Sequence, residues 1–319
     1  MVIAIISVRI RRNMNISKLY EDTLKHRNQK VSSIHYKLNK GIVNLFYPIL
    51  GKCSYGLDPG SNVIISLASY PDRIETVYLT ITTLLNQTVK PKAVMLWLAK
   101  EQFENGEADL PSKLLALKDK GLTIRFCEDL RPHKKYYYTM KENPDCDVVT
   151  VDDDVFYPEN LLEMLIETAS KYPDTVVCTW GHGIFLGENN DVDTADKWQY
   201  LTDGTEPSFS VIPTGVGGVF YPAHCLDDEV FNDTAIRELC LNADDLWLKA
   251  MAVLNHTKAV RTDKPARLFF SIIKTQKSGL YYKNALEDRN SIAWMNIMNA
   301  YPECRKILID NLKRKGSFV

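Results

Sequence analysis

From residue 62 the chain alternates short apolar runs with stretches in which apolar residues return every three or four positions. The runs at 63–67, 93–98 and 122–126 read as strands, the first two apolar nearly throughout, which is the mark of strands buried on both faces. Between the first two, Ile74, Val77, Tyr78, Ile81, Leu84 and Leu85 recur at helical spacing. A helix over 112–120 is closed by Gly121, and a Lys/Tyr-rich helix covers 134–141. A fourth apolar run, Val148-Val149-Thr150-Val151, leads straight into Asp152, Asp153 and Asp154. Pro158 then opens a helix with Leu161, Leu162, Leu165, Ile166, Ala169 and Tyr172 on one face, and Pro173 stops it. Strand and helix alternating through four strands predict an α/β fold: a doubly wound, mostly parallel sheet with helices on both faces. Residues 15–50 mix charge with Leu, Ile, Tyr and Phe at partly helical spacing and predict a helical N-terminal extension. The expected organisation is an extension over 1–60, a main domain with halves at 61–180 and 181–285, and a C-terminal helix with a basic tail over 286–319.

In doubly wound sheets ligands bind outside the carboxyl ends of the strands. The turn Ser69-Tyr70-Pro71-Asp72-Arg73, the pair Glu128-Asp129 and the acids 152–154 all fall there. If the acids continue the strand, Asp152 and Asp154 point one way and Asp153 the other. Two carboxylates on one side cannot both be buried without a cation, and hard oxygen ligands of this kind suit Mg2+ or Mn2+. The bland alternative is three solvated acids in a turn. No G-x-G-x-x-G or G-x-x-x-x-G-K-[ST] loop is present. Phosphate charge would then be met by a metal and by Arg73, Lys134 or Lys135, for each of which a solvated surface role is the competing reading.

Composition changes this picture little. With 319 residues and 45% hydrophobic content the chain can bury a large core. The net charge of −1 conceals basic ends, at 9–40 and 305–315, around an acidic body. That distribution argues against general nucleic-acid binding and permits peripheral contact with an anionic membrane face. The first eight residues are apolar and precede Arg9, Arg11 and Arg12. The run is too short to cross a bilayer, and its charges follow rather than precede it as a signal peptide would require. Seven scattered cysteines without a C-x-x-C pair suit a reduced, cytoplasmic setting.

Three segments, read together, carry a resemblance: Ser66-Leu67-Ala68-Ser69-Tyr70-Pro71-Asp72-Arg73, Leu84-Leu85-Asn86-Gln87-Thr88, and Val151-Asp152-Asp153-Asp154-Val155-Phe156-Tyr157-Pro158. In order and spacing, over roughly residues 62–285, the sequence resembles the GT-A glycosyltransferases, in particular family-2-like bacterial enzymes of capsule and lipopolysaccharide (O-antigen) assembly. The resemblance implies a GT-A-type sheet whose first half binds a nucleotide sugar, expected as a UDP-sugar. It implies that Asp152 and Asp154 hold Mn2+ or Mg2+ on the diphosphate, with Asp153 beside it. Ser69, Tyr70 and Arg73 fall in the nucleoside loop and Asp129 near the base.

The second half is then expected to bind a saccharide or lipid-linked saccharide acceptor and to supply a base for a single, inverting displacement. The segment 212–222, with Gly217 and Gly218, either lets backbone approach the sugars or makes a tight turn before an edge strand. Trp180 and His182 are candidates to pack a sugar ring, the competing reading of a lone histidine being a structural one. Asp244-Asp245 resembles the family's acidic pair, with Asp245 as the base favoured over Asp244. The spacing from Asn242 to Asp245 also fits a variant capping box, a purely structural use. Two other classes compete: a metal-dependent phosphoryl or nucleotidyl transferase, and a non-catalytic nucleotide-sugar-binding subunit of a polysaccharide assembly complex.

Overall fold

The structure, a computed structural model, describes residues 15–24, 29–50, 54–187, 189–263, 269–278 and 289–315. The apolar start of the chain and the end of its basic tail lie outside the described residues. A helical hairpin, α1 (Ile16–Leu24) and α2 (Gln29–Leu50), precedes the sheet domain. Then follow β1 (Val63–Ala68), α3 (Val77–Leu85), β2 (Ala93–Ala99), β3 (Leu122–Cys127), α4 (Lys134–Glu142), β4 (Asp147–Thr150), β5 (Val155–Phe156), α5 (Leu161–Lys171) and β6 (Val176–Cys178). The second half contributes β7 (Gly181–Gly183), β8 (Gln199–Tyr200), β9 (Val211–Pro213), β10 (Val219–Tyr221), α6 (Asp233–Leu239), α7 (Asp244–Leu254), β11 (Ala259–Arg261) and β12 (Phe270–Ser271). Helices α8 (Arg289–Ala300) and α9 (Pro302–Lys315) close the described chain, two helices where the sequence pattern suggested one.

The central sheet has the order β11-β6-β10-β4-β1-β2-β3. All its pairings are parallel except those of β10, which runs antiparallel between β4 and β6. The sheet thus takes strands from both halves of the sequence. The glycine-rich segment does precede a strand, but that strand is central rather than an edge, so the edge-strand expectation is corrected. Small sheets, β8-β7-β9 and β12-β5, flank it.

Strand periodicity sorts the core into two layers. Ile65, Leu67, Val94, Leu96, Val149 and Val177 pack with α1, α2, α3 and α5. Ile64, Met95 and Trp97 face the opposite side, where Tyr138 of α4 packs against them. Val176, Cys178, Val219 and Tyr221 join the layer formed by α7, α8 and α9. Burial on both faces explains why these strands carry near-continuous apolar runs. The described cysteines are all buried and none forms a disulfide. No described helix is long and apolar enough to cross a membrane.

The N-terminal hairpin is keyed to the domain by one carboxylate. Glu159 accepts from the backbone N–H groups of Ile16 and Ser17 at 2.8 Å each and from Ser17 Oγ at 2.7 Å, while Asn15 Oδ1 accepts from Lys18 N. The donors left unpaired at a helix start are thereby satisfied. On α2, Lys40 donates to Ser271 Oγ, and the Asn44 side chain bridges Ser271 O and Ile273 N. Replacing Glu159 with Ala removes hydrogen bonds to a charged acceptor worth about 1.5–3 kcal/mol. Amide exchange in 16–24 should then rise by about 10–100-fold while β1 and β2 keep their protection. Unchanged exchange in α1 would show that the hairpin is held elsewhere.

Candidate functional site

Strand β4 ends where its ladder ends. Val151 N still donates to Ser66 O, but Asp152 N donates to Tyr157 Oη at 2.9 Å. The chain has left the sheet, and the acids form a tight turn into β5 rather than the tip of a strand. This corrects the alternation expected for them. Asp153 and Asp154 share a partner, and Asp152 stands apart. Arg73 Nη1 pairs with Asp153 Oδ1 and Arg73 Nη2 with Asp154 Oδ2 at 3.1 Å. Ser69 Oγ also donates to Asp153, at 2.6 Å, and Thr80 Oγ1 donates to its carbonyl. The Arg73 guanidinium lies 5.5 Å from the centre of the Tyr70 ring. The turn after β1 is thus tied to the turn after β4, and Asp153 is a structural anchor more than a surface ligand.

Asp152 has a different partner. Lys135, on α4 and 4% exposed, lies 2.9 Å from Asp152 Oδ1 and 2.9 Å from Asp244 Oδ2. Burial opposes its charge, but the surrounding carboxylates outweigh burial and hold its pKa well above the usual lysine value. Asp244 and Asp245 open α7 from an N-cap, Ala243, that makes no side-chain cap bond. Asp245 Oδ2 accepts from Gly215 N at 2.9 Å. Burial pushes Asp244 up, yet Lys135 brings it below the ordinary carboxylate value. For Asp245, burial and the neighbouring Asp244 win, and its pKa rises to about 7. Asp154 is likewise raised to about 7, by burial first.

Because β10 is antiparallel, its N-terminal end lies at the edge where β1 and β4 end, with Val219 opposite Thr150. The glycine turn 215–217 therefore meets the acids. A Cβ on Gly215 would sit 2.9 Å from Lys135 Nζ, 3.0 Å from Asp245 Oδ1 and 3.5 Å from Asp152 Oδ1. Gly215 bounds the site. Gly217 packs on Thr179 and Trp180, where a Cβ would come within 2.6 Å, and Gly218 adopts φ 85° against Leu161. Beyond this turn Trp180 and His182 gather with Tyr200, at ring-centre distances of 5.2 and 4.3 Å from it. His182 Nδ1 lies 3.1 Å from Thr214 Oγ1, next to Gly215, and burial lowers its pKa.

Lys134 turns away from the acids and pairs with Asp129, which also accepts from Arg131 N and Gln102 Nε2. Of the two adjacent lysines only Lys135 reaches the acids, and it does so as their buried partner. Sequence reasoning missed Gly215, Tyr157 and Tyr200. Tyr157 is fully buried and joins the two turns, accepting from Asp152 N and donating to Val216 O at 3.2 Å. An aromatic five residues after the first acid was its only signal. Lys40 was also missed. It arrives from the N-terminal extension and is close enough for Asp154 to influence its charge.

No protein-family model matches the sequence. No curated protein matches it either. Among solved structures, residues 1–349 of TarS from S. aureus share 14% identity at a TM-score of 0.44, covering 75% of this chain and 71% of that one. The same protein in complex with UDP gives 15% identity and a TM-score of 0.47, covering 80% and 72%. A mannosyltransferase, PcManGT from Pyrobaculum calidifontis, in complex with GDP-Man and Mn2+, gives 13% identity and a TM-score of 0.40, covering 90% and 87%.

The Lys135 pair generates a stability prediction with a definite sign. Asp244 has a lowered pKa in the fold, so its pairing contributes stability above the unfolded value, about 4, and loses it as pH falls through the folded value. Lys135→Met leaves a buried carboxylate without its cation and should cost about 3–5 kcal/mol at pH 7. Denaturant titrations should show the deficit shrinking as pH falls below about 4. A deficit that does not change with pH would assign the loss to packing instead. Tyr157→Phe should cost about 1–3 kcal/mol, since it leaves Asp152 N and Val216 O unmatched.

Proposed function

We propose that the chain transfers a sugar from a nucleotide sugar to a hydroxyl of a saccharide or lipid-linked saccharide, by single displacement with inversion. The observation that carries this reading is the placement of Asp245. Its Oδ2 is held by Gly215 N, and its Oδ1 borders the space over the Gly215 α-carbon that Lys135 and Asp152 also border. A carboxyl with a pKa near 7 in such a place suits a general base at neutral pH. The acceptor hydroxyl loses its proton to Asp245 Oδ1 as it attacks. Backbone donation from Gly215 fixes the orientation of that carboxylate. Lys135 keeps Asp244 ionised, and the resulting charge keeps the Asp245 proton affinity high.

Carboxylates 152, 153, 154, 244 and 245 outnumber Arg73 and Lys135, so a divalent cation fits the charge balance of the crevice. Among the described residues no group of three or more His, Cys, Asp or Glu side chains is arranged to hold a metal. Asp152 and Asp154, each with one oxygen outside its contact to Lys135 or Arg73, are the residues that would hold Mn2+ or Mg2+, with diphosphate oxygens completing the ligand set. When bound there, the ion supplies positive charge to the departing nucleoside diphosphate. The Ser69–Arg73 turn receives the nucleoside, with Asp129 close to the base. Trp180, His182 and Tyr200 offer an apolar wall to a sugar ring.

The test of the base is Asp245→Asn. It should keep the fold and the donor affinity while lowering transfer by about 10²–10⁴-fold, and Asp244→Asn should lose less. The wild-type rate at saturating donor should fall as pH drops below about 7, because the protonated carboxyl cannot accept the hydroxyl proton. Near-normal transfer by Asp245→Asn, with Asp244→Asn inactive, would exchange the two roles. For the metal, calorimetry of Asp154→Ala with a nucleoside diphosphate and Mn2+ should show Mn2+-dependent binding abolished. Wild-type affinity in that variant would remove Asp154 from the ligand set.

A further inference from the structure

Helix α2 is apolar on two sides. Its inner side, with Val43 and Tyr47 buried, packs on the domain, and the Tyr47 ring meets Phe156 edge-on. Its outer side carries Ile34, Leu38 and Leu45, which are 65%, 46% and 65% exposed. Positions 34, 38, 41 and 45 fall within one narrow helical face, so these side chains and Gly41 make a continuous apolar stripe about three turns long. Scattered exposed apolar residues need no explanation, but an ordered stripe marks a contact surface.

Charge identifies the occupant. Between Asp22 and Asp58 the sequence has no acid, while Lys25, Arg27, Lys30, Lys37, Lys40 and Lys52 are all basic. Lys37 is exposed beside the stripe. The acids of the hairpin, Glu21 and Asp22, are on α1. An apolar face on a purely basic helix is the pattern of a helix that lies in the plane of an anionic bilayer surface. A protein partner for so basic a segment would need matching acids, and the acidic body of this chain could supply them in a second copy, so self-association is the rival to be tested.

The helix is coupled to the crevice. Lys40 and Asn44 hold Ser271 and Ile273, and Ile272 N donates to the carbonyl of Asp154 at 2.7 Å. We propose that Ile34, Leu38 and Leu45 of α2 form a docking surface for an anionic lipid bilayer, which seats the acid crevice beside the membrane and makes its acceptor a lipid-linked saccharide. The docking surface stands on its own observations; the acceptor class rests on the sugar-transfer reading.

The test uses the full chain with Ile34→Gln, Leu38→Gln and Leu45→Gln combined, exposed changes to a good helix former that should leave the circular dichroism unchanged. Sedimentation is measured with vesicles of phosphatidylcholine alone and of phosphatidylcholine mixed with phosphatidylglycerol, at low and high salt. The wild type should pellet with the anionic vesicles, more at low salt, and the triple variant should lose at least about tenfold of that binding. Transfer to a water-soluble acceptor should be equal in the two proteins. Equal pelleting of variant and wild type overturns the proposal, as does a wild type that ignores anionic vesicles. A dimer in solution that the triple variant dissolves, without vesicle binding, assigns the stripe to self-association and also overturns it. Docking by a wild type that turns over no nucleotide sugar keeps the docking surface and removes the transfer reading, so the two failures are distinct.

Discussion

Lys135 is the point on which the site depends. A buried ammonium group is costly unless it is paired, and here it is paired with carboxylates from two elements far apart in sequence, Asp152 after β4 and Asp244 at the start of α7. For Asp244, which is buried, the lysine charge outweighs the cost of burial and holds the carboxyl below its ordinary pKa. The lysine in turn is presented by a helix fixed from behind: Thr139 receives Trp97 Nε1 at 2.6 Å and lies 2.7 Å from Ser66 Oγ, both on the sheet. His133, the residue immediately before the helix, is buried with its ring nitrogens 3.0 Å from Tyr136 Oη and from Cys240 O, and burial lowers its pKa to about 4. A neutral ring there donates from Nε2 to the carbonyl and accepts at Nδ1, which adds no second charge to the one that Lys135 already carries.

The two cations divide the acids between them. Arg73 locks Asp153 and Asp154 to the turn after β1, a planar fork suited to bridging two carboxylates. Lys135, a point charge, is shared between Asp152 and Asp244. Asp245 is the acid left with a backbone N–H as its held partner, and burial beside Asp244 raises its pKa to about 7. The same arrangement that stabilises two neighbours therefore leaves the third poised to exchange a proton.

Much of the architecture was legible in the sequence because it is local. Apolar runs mark β1 to β4, Gly121 closes its turn at φ 111°, and Pro158 and Pro173 bracket α5. What was not legible depends on non-local geometry. Strand alternation was applied to Asp152, Asp153 and Asp154, but Tyr157 draws the Asp152 N–H away from the sheet, and no rule of period two survives that turn. The spacing around Asp245 gave no sign that its carboxylate accepts from the Gly215 N–H, thirty residues earlier. The glycines singled out, Gly217 and Gly218, serve packing against Trp180 and Leu161, while Gly215 at the head of the same turn faces the acids. A glycine-rich string says that backbone comes close to something; only the fold says which glycine is close to what.

Antiparallel β10 is the step that brings the second half of the chain to the acid edge of the sheet. In an all-parallel sheet, every strand of the second half would bring its carboxyl end to the acids and send its amino end to the opposite edge. Reversing one strand between β4 and β6 brings an amino end, and the glycine turn before it, to the acid edge. That turn then has a neighbour on each side: the aromatic group of Trp180, His182 and Tyr200 through Thr214, and the carboxylate of Asp245 through Gly215. Glycine at 215 is what lets the second neighbour close in, since any Cβ would displace Lys135 or Asp245. The acid turn and the α7 start are therefore brought together by strand direction, and held there by Lys135.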